Sequence, residues 1–225
     1  MKRTAALIAA AGLVLAACQP VAHAAEEPVD APAAKRVAKE APGRKVAIFA
    51  GGCFWGVEGV FSHVRGVSSA VSGYHGGSAA TADYETVSSG STEHAEAVRV
   101  VYDPAVVRYD ELLRIFFSVI ADPTLRNRQG PDIGAHYRAA LVPIGAEQRA
   151  VAAAYLAQMQ TSGVWPRPIV TRVESHRKFY PAETYHQDFM AKNPRHGYIV
   201  RWDAPKVAAL KRLYPDRFRA AFQRD

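Results

Sequence analysis

Cys53 is one of only two cysteines among the 225 residues of the chain, and its surroundings favour a reactive thiol. It follows two glycines, which let a second molecule approach the backbone closely. A short apolar run at 46–50 predicts a buried strand, and apolar residues spaced i, i+3, i+4, i+7 over 57–64 predict a helix. The thiol would then lie at a helix N-terminus, where the dipole lowers the pKa of a cysteine from ~8.5 to roughly 3.5–7.5. On position alone, a buried structural thiol in a tight turn is equally well supported.

An alternating segment at 94–102 places a carboxyl group on an apolar face. Glu96 shares one side of this predicted strand with Val98, Val100 and Tyr102. Burial disfavours the charged form of a carboxyl, so we expect a raised pKa and a protonated acid at neutral pH. An ordinary carboxylate near a strand end is the competing interpretation.

Four aromatic residues and one aspartate complete the set of candidate site residues. Tyr84 and Tyr137 have hydroxyls that can donate hydrogen bonds to a polar oxygen, and Phe54 and Trp55 can form an apolar cup. Asp132, in a polar and glycine-containing loop, can order water or the backbone of a ligand. Taken singly, each tyrosine would more often be a core residue, Phe54 and Trp55 can pack in the core as well as form a cup, and Asp132 can serve a loop turn.

Strands and helices in an irregular order must hold these side chains. Besides the elements already mentioned, apolar patterns predict strands at 67–74, 137–142 and 169–174, and helices at 109–120 and 146–159. A long polar loop is predicted at 125–136. Because the order lacks a regular βαβ alternation, we expect a single α+β domain.

The first 24 residues are predicted to direct export rather than to belong to the fold. Lys2 and Arg3 precede an apolar segment that is too short for a membrane span of roughly 20 residues. Two cleavage sites compete. Leu15-Ala16-Ala17-Cys18 has the form of a bacterial lipobox, in which Cys18 would carry lipid, and Ala22-His23-Ala24 suits an ordinary signal peptidase. The lipobox is favoured, and the protein is expected in the periplasm or on a membrane of a bacterial envelope.

The composition separates a linker from the domain. Residues 25–43 are rich in Ala, Pro, Glu and Lys, which predicts a disordered tether, and the folded domain is expected over 44–225. With 49% hydrophobic residues, the chain can bury one sizeable core. The formal net charge of +7 comes from scattered basic residues rather than from a stripe interleaved with aromatics, so nucleic-acid binding is disfavoured.

The hexapeptide Gly51-Gly52-Cys53-Phe54-Trp55-Gly56 resembles the signature of the A-type methionine sulfoxide reductases. Further segments extend the resemblance over residues 45–190, in the order found in that family: Tyr84 in Tyr-Glu-Thr-Val-Ser-Ser-Gly, Glu96 in Glu-His-Ala-Glu-Ala-Val, Leu125-Arg126-Asn127-Arg128-Gln129-Gly130 before Asp132 and Tyr137, and Phe179-Tyr180-Pro181-Ala182-Glu183 before Tyr185-His186-Gln187. One hexapeptide can arise by chance, whereas the whole series is specific.

The resemblance implies a fold and an activity. The fold would be a single two-layer mixed-sheet sandwich of the α+β class, with long irregular connections. The activity would be that of a peptide-methionine (S)-S-oxide reductase, which repairs oxidised proteins and free methionine sulfoxide without a bound cofactor or metal. The resemblance implies that Cys53 is the nucleophile and Glu96 the acid. Tyr84 and Tyr137 would be the hydroxyl donors, and Phe54 and Trp55 would form the cup for the methyl group. Asp132 would be the loop carboxylate.

The chain departs from the family pattern in its thiols. Many relatives carry a cysteine where this chain has Ser88, and many have resolving cysteines near the C-terminus, whereas residues 195–225 contain none. After methionine leaves, Cys53 would be a sulfenic acid without a partner thiol in the domain. We therefore expect reduction by an external thiol, either a thioredoxin-like protein or dithiothreitol, and we expect a monomer.

Two other classes of protein fit parts of the sequence. A cysteine hydrolase or acyltransferase would pair Cys53 with a histidine such as His75, His94, His136 or His186. A non-catalytic envelope protein would use the aromatic residues after the thiol to bind an apolar ligand. Turnover of a methionine-sulfoxide peptide with dithiothreitol distinguishes the reductase from both, and ester cleavage identifies the hydrolase.

Overall fold

Eight strands form within residues 27–224, the part of the chain that the computed structural model describes. They are β1 (Lys45–Gly51), β2 (Val67–His75), β3 (Ala95–Tyr102), β4 (Arg128–Gln129), β5 (Asp132–Ile133), β6 (Ala139–Val142), β7 (Arg172–Val173) and β8 (Phe179–Pro181). Six of them make one sheet in the order β7-β6-β1-β3-β2-β8, and β4 pairs with β5 in a separate hairpin. The β6–β7 pair is parallel and the other pairs of the sheet are antiparallel.

Helices of very different lengths connect these strands. They are α1 (Phe54–Ser62), α2 (Tyr84–Ser88), α3 (Tyr109–Ile115), α4 (Ala146–Gln160), α5 (Phe189–Lys192) and α6 (Ala204–Leu213). Two π-helical segments, Phe116–Ile120 and Ile199–Asp203, follow α3 and precede α6. The predicted α+β class with a mixed sheet is confirmed. Within residues 27–224, no helix has the length and apolar character needed to cross a membrane.

The strand alternation divides the sheet into two faces. In β3, the even-numbered side chains from Glu96 to Tyr102 point to the face that α1 covers, where Val98 and Val100 are fully buried. Phe49 of β1 lies on the same face, and its ring centroid is 4.8 Å from that of Phe61 in α1. Small residues such as Ala97 face the opposite side of the sheet. The main core therefore lies between the sheet and its helices.

Helix α1 is enclosed on nearly every side. The predicted stripe of Val57, Val60, Phe61 and Val64 is fully buried, as is Phe54 at the first position of the helix. Each such side chain contributes about 1.5–3 kcal/mol through burial. Because the packing extends to its first residue, the N-terminus of α1 is largely shielded from bulk water, while Cys53 and Trp55 keep a partly exposed surface.

Predicted elements and observed elements differ in extent. The helix predicted at 109–120 forms, but its last five residues are π-helical. The loop predicted at 125–136 contains the β4–β5 hairpin. The strand predicted at 169–174 shrinks to two residues, because the amides of Val170 and Thr171 donate to the Pro123 carbonyl instead of to a neighbouring strand.

Residues 27–43 pack along the domain, contrary to the disordered tether that their composition predicts. Ala31 is fully buried, and its amide donates to Ser118 Oγ over 3.0 Å. Ala38 is buried as well, and Tyr155 donates its hydroxyl to the Pro32 carbonyl over 2.7 Å. The small side chains of this segment pack against the domain, and side chains of the domain form hydrogen bonds with its backbone. Composition does not report these contacts, so it wrongly predicts disorder. The predicted signal peptide and lipidation of Cys18 lie outside the described residues.

We predict that Glu40 stabilises the packing of residues 27–43 against the domain. Its carboxylate accepts hydrogen bonds from the Tyr102 hydroxyl and from the Tyr109 amide. Glu40→Ala should lower the free energy of unfolding by about 1–3 kcal/mol, because both donors lose their partner. Thermal unfolding measures this effect. Lys35→Ala, at an exposed position of the same segment, is the matched control, and equal melting temperatures for the two variants would contradict the role of Glu40.

Candidate active site

The turn between β1 and α1 holds Cys53 at the N-cap position of the helix. Gly52 makes this turn with a φ of +85°, and a Cβ atom built on it would lie 2.6 Å from Gln129 Cβ. A side chain there would both strain the backbone and clash. The amide of Phe54 donates to Glu96 Oε2 over 2.9 Å, which holds the carboxyl at the residue that follows the thiol.

The pKa of the Cys53 thiol is raised well above its ordinary range, so the lowering predicted from the helix dipole is wrong. Burial is the main cause, and the carboxyls of Glu96, Asp203 and Asp132 act in the same direction against a hydrogen bond from the Trp55 amide. A helix N-terminus stabilises an anion by ~0.3–1 kcal/mol, and one pKa unit corresponds to about 1.4 kcal/mol. Removal from water therefore outweighs the dipole, and the resting thiol is protonated.

Glu96 is the buried acid that the strand pattern predicts. Its side chain is 2% exposed, and burial raises its pKa to about 8, with further contributions from Asp132 and Asp203. The hydrogen bond from the Phe54 amide opposes this rise. At neutral pH, Glu96 consequently holds a proton that it can donate next to the thiol.

The two predicted tyrosines lie close to Cys53 and Glu96. Tyr84 begins α2, and Tyr137 ends a short 3-10 turn at Ala135–Tyr137. Burial raises the pKa of both, and the charges of Glu96 and Cys53 raise each pKa further, so all four groups lie within electrostatic reach of one another. Both hydroxyls therefore remain protonated donors.

Trp55 forms an aromatic wall next to the thiol. Its ring stacks on Phe189 with centroids 3.7 Å apart and planes 7° apart. Its Nε1 donates to His186 Nδ1 over 3.1 Å, which fixes the rotation of the indole. Phe54 is only 1% exposed and packs against the His186 ring at 5.0 Å. Trp55, which is partly exposed, offers surface to a ligand, and Phe54 supports the site from beneath.

Three of the four histidines proposed as partners of Cys53 make hydrogen bonds elsewhere. The fourth, His136, packs against the Tyr137 ring with centroids 4.1 Å apart, and its Nδ1 has no hydrogen-bond partner among the described residues. His186 accepts the bond from the indole, and His75 and His94 each accept from a backbone amide, over 3.0 and 3.2 Å. Apart from burial, the charges that raise the pKa of Cys53 are those of carboxyls, and no histidine is among its causes. The pairing required for a cysteine hydrolase is therefore unsupported.

The C-terminal part of the chain brings two side chains that sequence reasoning missed. Tyr198 donates its hydroxyl to Asp132, and burial, followed by the charge of Cys53, raises the pKa of Tyr198. Asp203 is fully buried, with a pKa raised to about 7 mainly by burial. A signal for Asp203 was present, because an acidic residue shortly before a proline, here Pro205, marks a helix start.

The assembled site combines a protonated thiol, a protonated carboxyl, hydroxyl donors and an aromatic wall. These groups suit a reaction in which a soft sulfur nucleophile attacks a sulfur atom while a bound oxygen accepts a proton. The fold and the site define a thiol-dependent oxidoreductase.

Comparison with known proteins narrows the class to one family. Residues 45–217 match the family described as peptide methionine sulfoxide reductase. A peptide methionine sulfoxide reductase MsrA 2 of Mesorhizobium japonicum is 54% identical over 79% of this chain and 91% of its own length. A peptide methionine sulfoxide reductase MsrA 2 from Synechocystis is 50% identical over 82% of this chain and 86% of its own length. The crystal structure of reduced Mxr1 from Saccharomyces cerevisiae superposes with a TM-score of 0.61 at 32% identity, covering 72% of this chain and 92% of that one.

The chain belongs to the peptide methionine sulfoxide reductase family, and its reaction is the thiol-dependent reduction of methionine sulfoxide. The resemblance drawn from the motif residues is thereby confirmed.

Proposed function

We propose that the enzyme reduces the S epimer of methionine sulfoxide, free or within proteins, with Cys53 as nucleophile and Glu96 as acid. Tyr84 and Tyr137 donate hydrogen bonds to the sulfoxide oxygen. The observation that carries this proposal is the burial of the Glu96 carboxyl beside the thiol, where the Phe54 amide fixes it and burial raises its pKa to about 8.

The reaction begins when the sulfoxide oxygen accepts hydrogen bonds from the two tyrosine hydroxyls. Donors fixed in a site away from water stabilise the charge that develops on this oxygen. Cys53 attacks the sulfur, Glu96 protonates the oxygen, and the thioether leaves as methionine. The oxygen is transferred from the methionine sulfur to the Cys53 sulfur, which becomes a sulfenic acid.

Different parts of the site set affinity and selectivity. The aromatic surface of Trp55 contributes ~0.8 kcal/mol for each buried carbon group, but it accepts methionine as well as the sulfoxide. Reduced methionine would leave the polar donors unpaired, at ~1–3 kcal/mol each. The acid and the tyrosines therefore select the oxidised substrate and release the product. Asp132, held by Tyr198, is proposed to order water or the substrate backbone at the edge of the site.

The reset of the enzyme is proposed to need an external thiol. Cys53 is the free cysteine of the described residues, and Ser88 and the C-terminal segment offer no resolving thiol. A thioredoxin-like protein or a small dithiol reduces the sulfenic acid. We propose a monomer as the working unit, because one chain contributes all the side chains named above.

Trp55→Ala should raise KM by roughly tenfold or more with a smaller effect on kcat, because it removes apolar contact worth about 1.5–3 kcal/mol. Steady-state kinetics with a methionine-sulfoxide peptide measure the change. Ser88→Ala is the matched control, since Ser88 is exposed and bonds only within its own helical turn. Equal KM values for the two variants would refute the aromatic wall.

In a single turnover without reductant, each molecule should release one methionine and lose one free thiol. A sulfenic-acid-trapping reagent should label the protein, no internal disulfide should form, and dithiothreitol should restore the thiol. Thiol titration and mass spectrometry follow these changes, with Cys53→Ser as an inactive control. Loss of two thiols per methionine, or turnover by the serine variant, would contradict the scheme.

We further propose that the enzyme is an exported lipoprotein. The support is the Leu15-Ala16-Ala17-Cys18 sequence, followed by Gln19. The intact mass of the mature protein should show loss of residues 1–17 and a lipid on Cys18. An unmodified N-terminus at Ala25 would indicate a soluble periplasmic enzyme instead.

A further inference from the structure

Asp203 is a buried carboxyl that the proposed roles leave unused. It ends the π-helical segment Ile199–Asp203, and its side chain is 0% exposed. Neither of its carboxylate oxygens has a hydrogen-bond partner among the described residues. An ionisable group buried without partners is strongly unfavourable, so its position calls for a physical explanation.

The carboxyl lies against the first turn of α1. A Cβ atom built on Gly56 would lie 2.3 Å from Asp203 Oδ1, so the oxygen packs directly on the Gly56 backbone. The preceding residue, Trp55, donates its amide N–H to the Cys53 sulfur. The sulfur and the Asp203 carboxyl therefore contact adjacent residues of one helical turn, Trp55 and Gly56. Among the carboxyls whose charge raises the pKa of the thiol, Asp203 has the largest effect after Glu96.

The charged groups around Asp203 leave it able to change its protonation near neutral pH. Burial raises its pKa to about 7, Asp132 adds to the rise, and Lys206 of α6 opposes it. Tyr198 faces the same cluster through its bond to Asp132. Glu58, also buried in α1, lies two residues beyond Gly56 and hence on a different side of that helix.

We propose that Asp203 is the base that removes the Cys53 proton during the attack on the sulfoxide, an inference that rests on the roles proposed above for Cys53 and Glu96. The resting thiol is protonated, and a thiol becomes an effective nucleophile only when it loses its proton. Glu96 cannot accept that proton while it holds the one destined for the sulfoxide oxygen. Asp203 has the lower pKa of the two carboxyls, so it is the first to ionise and leaves Glu96 as the acid.

The step balances in atoms and electrons. The S–H bond of Cys53 breaks, its proton moves to Asp203, and the sulfur attacks the substrate sulfur. The Glu96 proton moves to the sulfoxide oxygen, which then passes as a hydroxyl from the substrate sulfur to the Cys53 sulfur. The bond between the two sulfurs and the S–O bond of the substrate break, the S–O bond of the Cys53 sulfenic acid forms, and methionine leaves. Cys53 loses two electrons and the methionine sulfur gains two. Asp203 ends protonated and Glu96 ionised, and proton exchange with solvent restores both.

The pH dependence of single-turnover methionine release tests this assignment. In the wild type, the rate should rise through an apparent midpoint of about 7 as Asp203 ionises, and fall above about 8 as Glu96 loses its proton. In Asp203→Asn the rise near 7 should disappear, and the rate at neutral pH should fall by roughly 100-fold or more. In Glu96→Gln the rise should remain and the fall should disappear.

Two checks separate this role from a structural one. Circular dichroism and melting temperatures establish that the variants fold, and Asp203→Glu, which keeps a carboxyl, should retain a rising limb with a shifted midpoint. A uniform loss at every pH in Asp203→Asn, an unchanged profile in that variant, or an unshifted midpoint in Asp203→Glu overturns the inference. A wild type that forms no methionine overturns the proposed function and this inference together.

Discussion

The shielding of the α1 N-terminus from most of the surrounding water is the constraint on which the site depends. A helix N-terminus in solvent favours a thiolate, and the predicted lowering of the Cys53 pKa holds only for a thiol in that environment. Here the first turn is covered by the sheet on one side and by the C-terminal segment on the other. The Phe54 amide is satisfied by Glu96 rather than by the thiol. Desolvation then keeps both the thiol and the acid protonated.

This protonation state determines how the chemistry is arranged. A thiol that is uncharged at rest reacts slowly with bystander oxidants, because the thiolate is the reactive form. Activation must therefore come from the bound substrate and from a neighbouring base. Distant parts of the chain contribute two carboxyls, Glu96 on β3 and Asp203 before α6. They are groups of the same chemical type, but the pKa of Glu96 is higher than that of Asp203.

Local sequence patterns predicted the parts of the structure that are governed by local rules. The alternation in β3 predicted that Glu96 is buried, and the apolar stripe at 57–64 predicted α1, because one-sided burial imposes these periods. Asp203 and Tyr198 were missed, since they approach Cys53 only through folding across some 150 positions of sequence. The prediction of a lowered pKa for Cys53 and the prediction of a disordered tether at 27–43 were wrong for the same reason. Both depend on which surfaces come to cover a segment, and composition and helix position do not report this.

The ionisation of Cys53 in the resting enzyme tests the account most directly. The ultraviolet absorbance of the thiolate, taken as the difference between wild type and Cys53→Ser, isolates Cys53 from Cys18 across a pH titration. The account predicts no thiolate signal from Cys53 until the pH passes roughly 8.5, the range of an ordinary cysteine, because desolvation and the neighbouring carboxyls raise the pKa of the thiol. A thiolate that forms at or below neutral pH would show that the helix dipole prevails over burial, and would contradict the account.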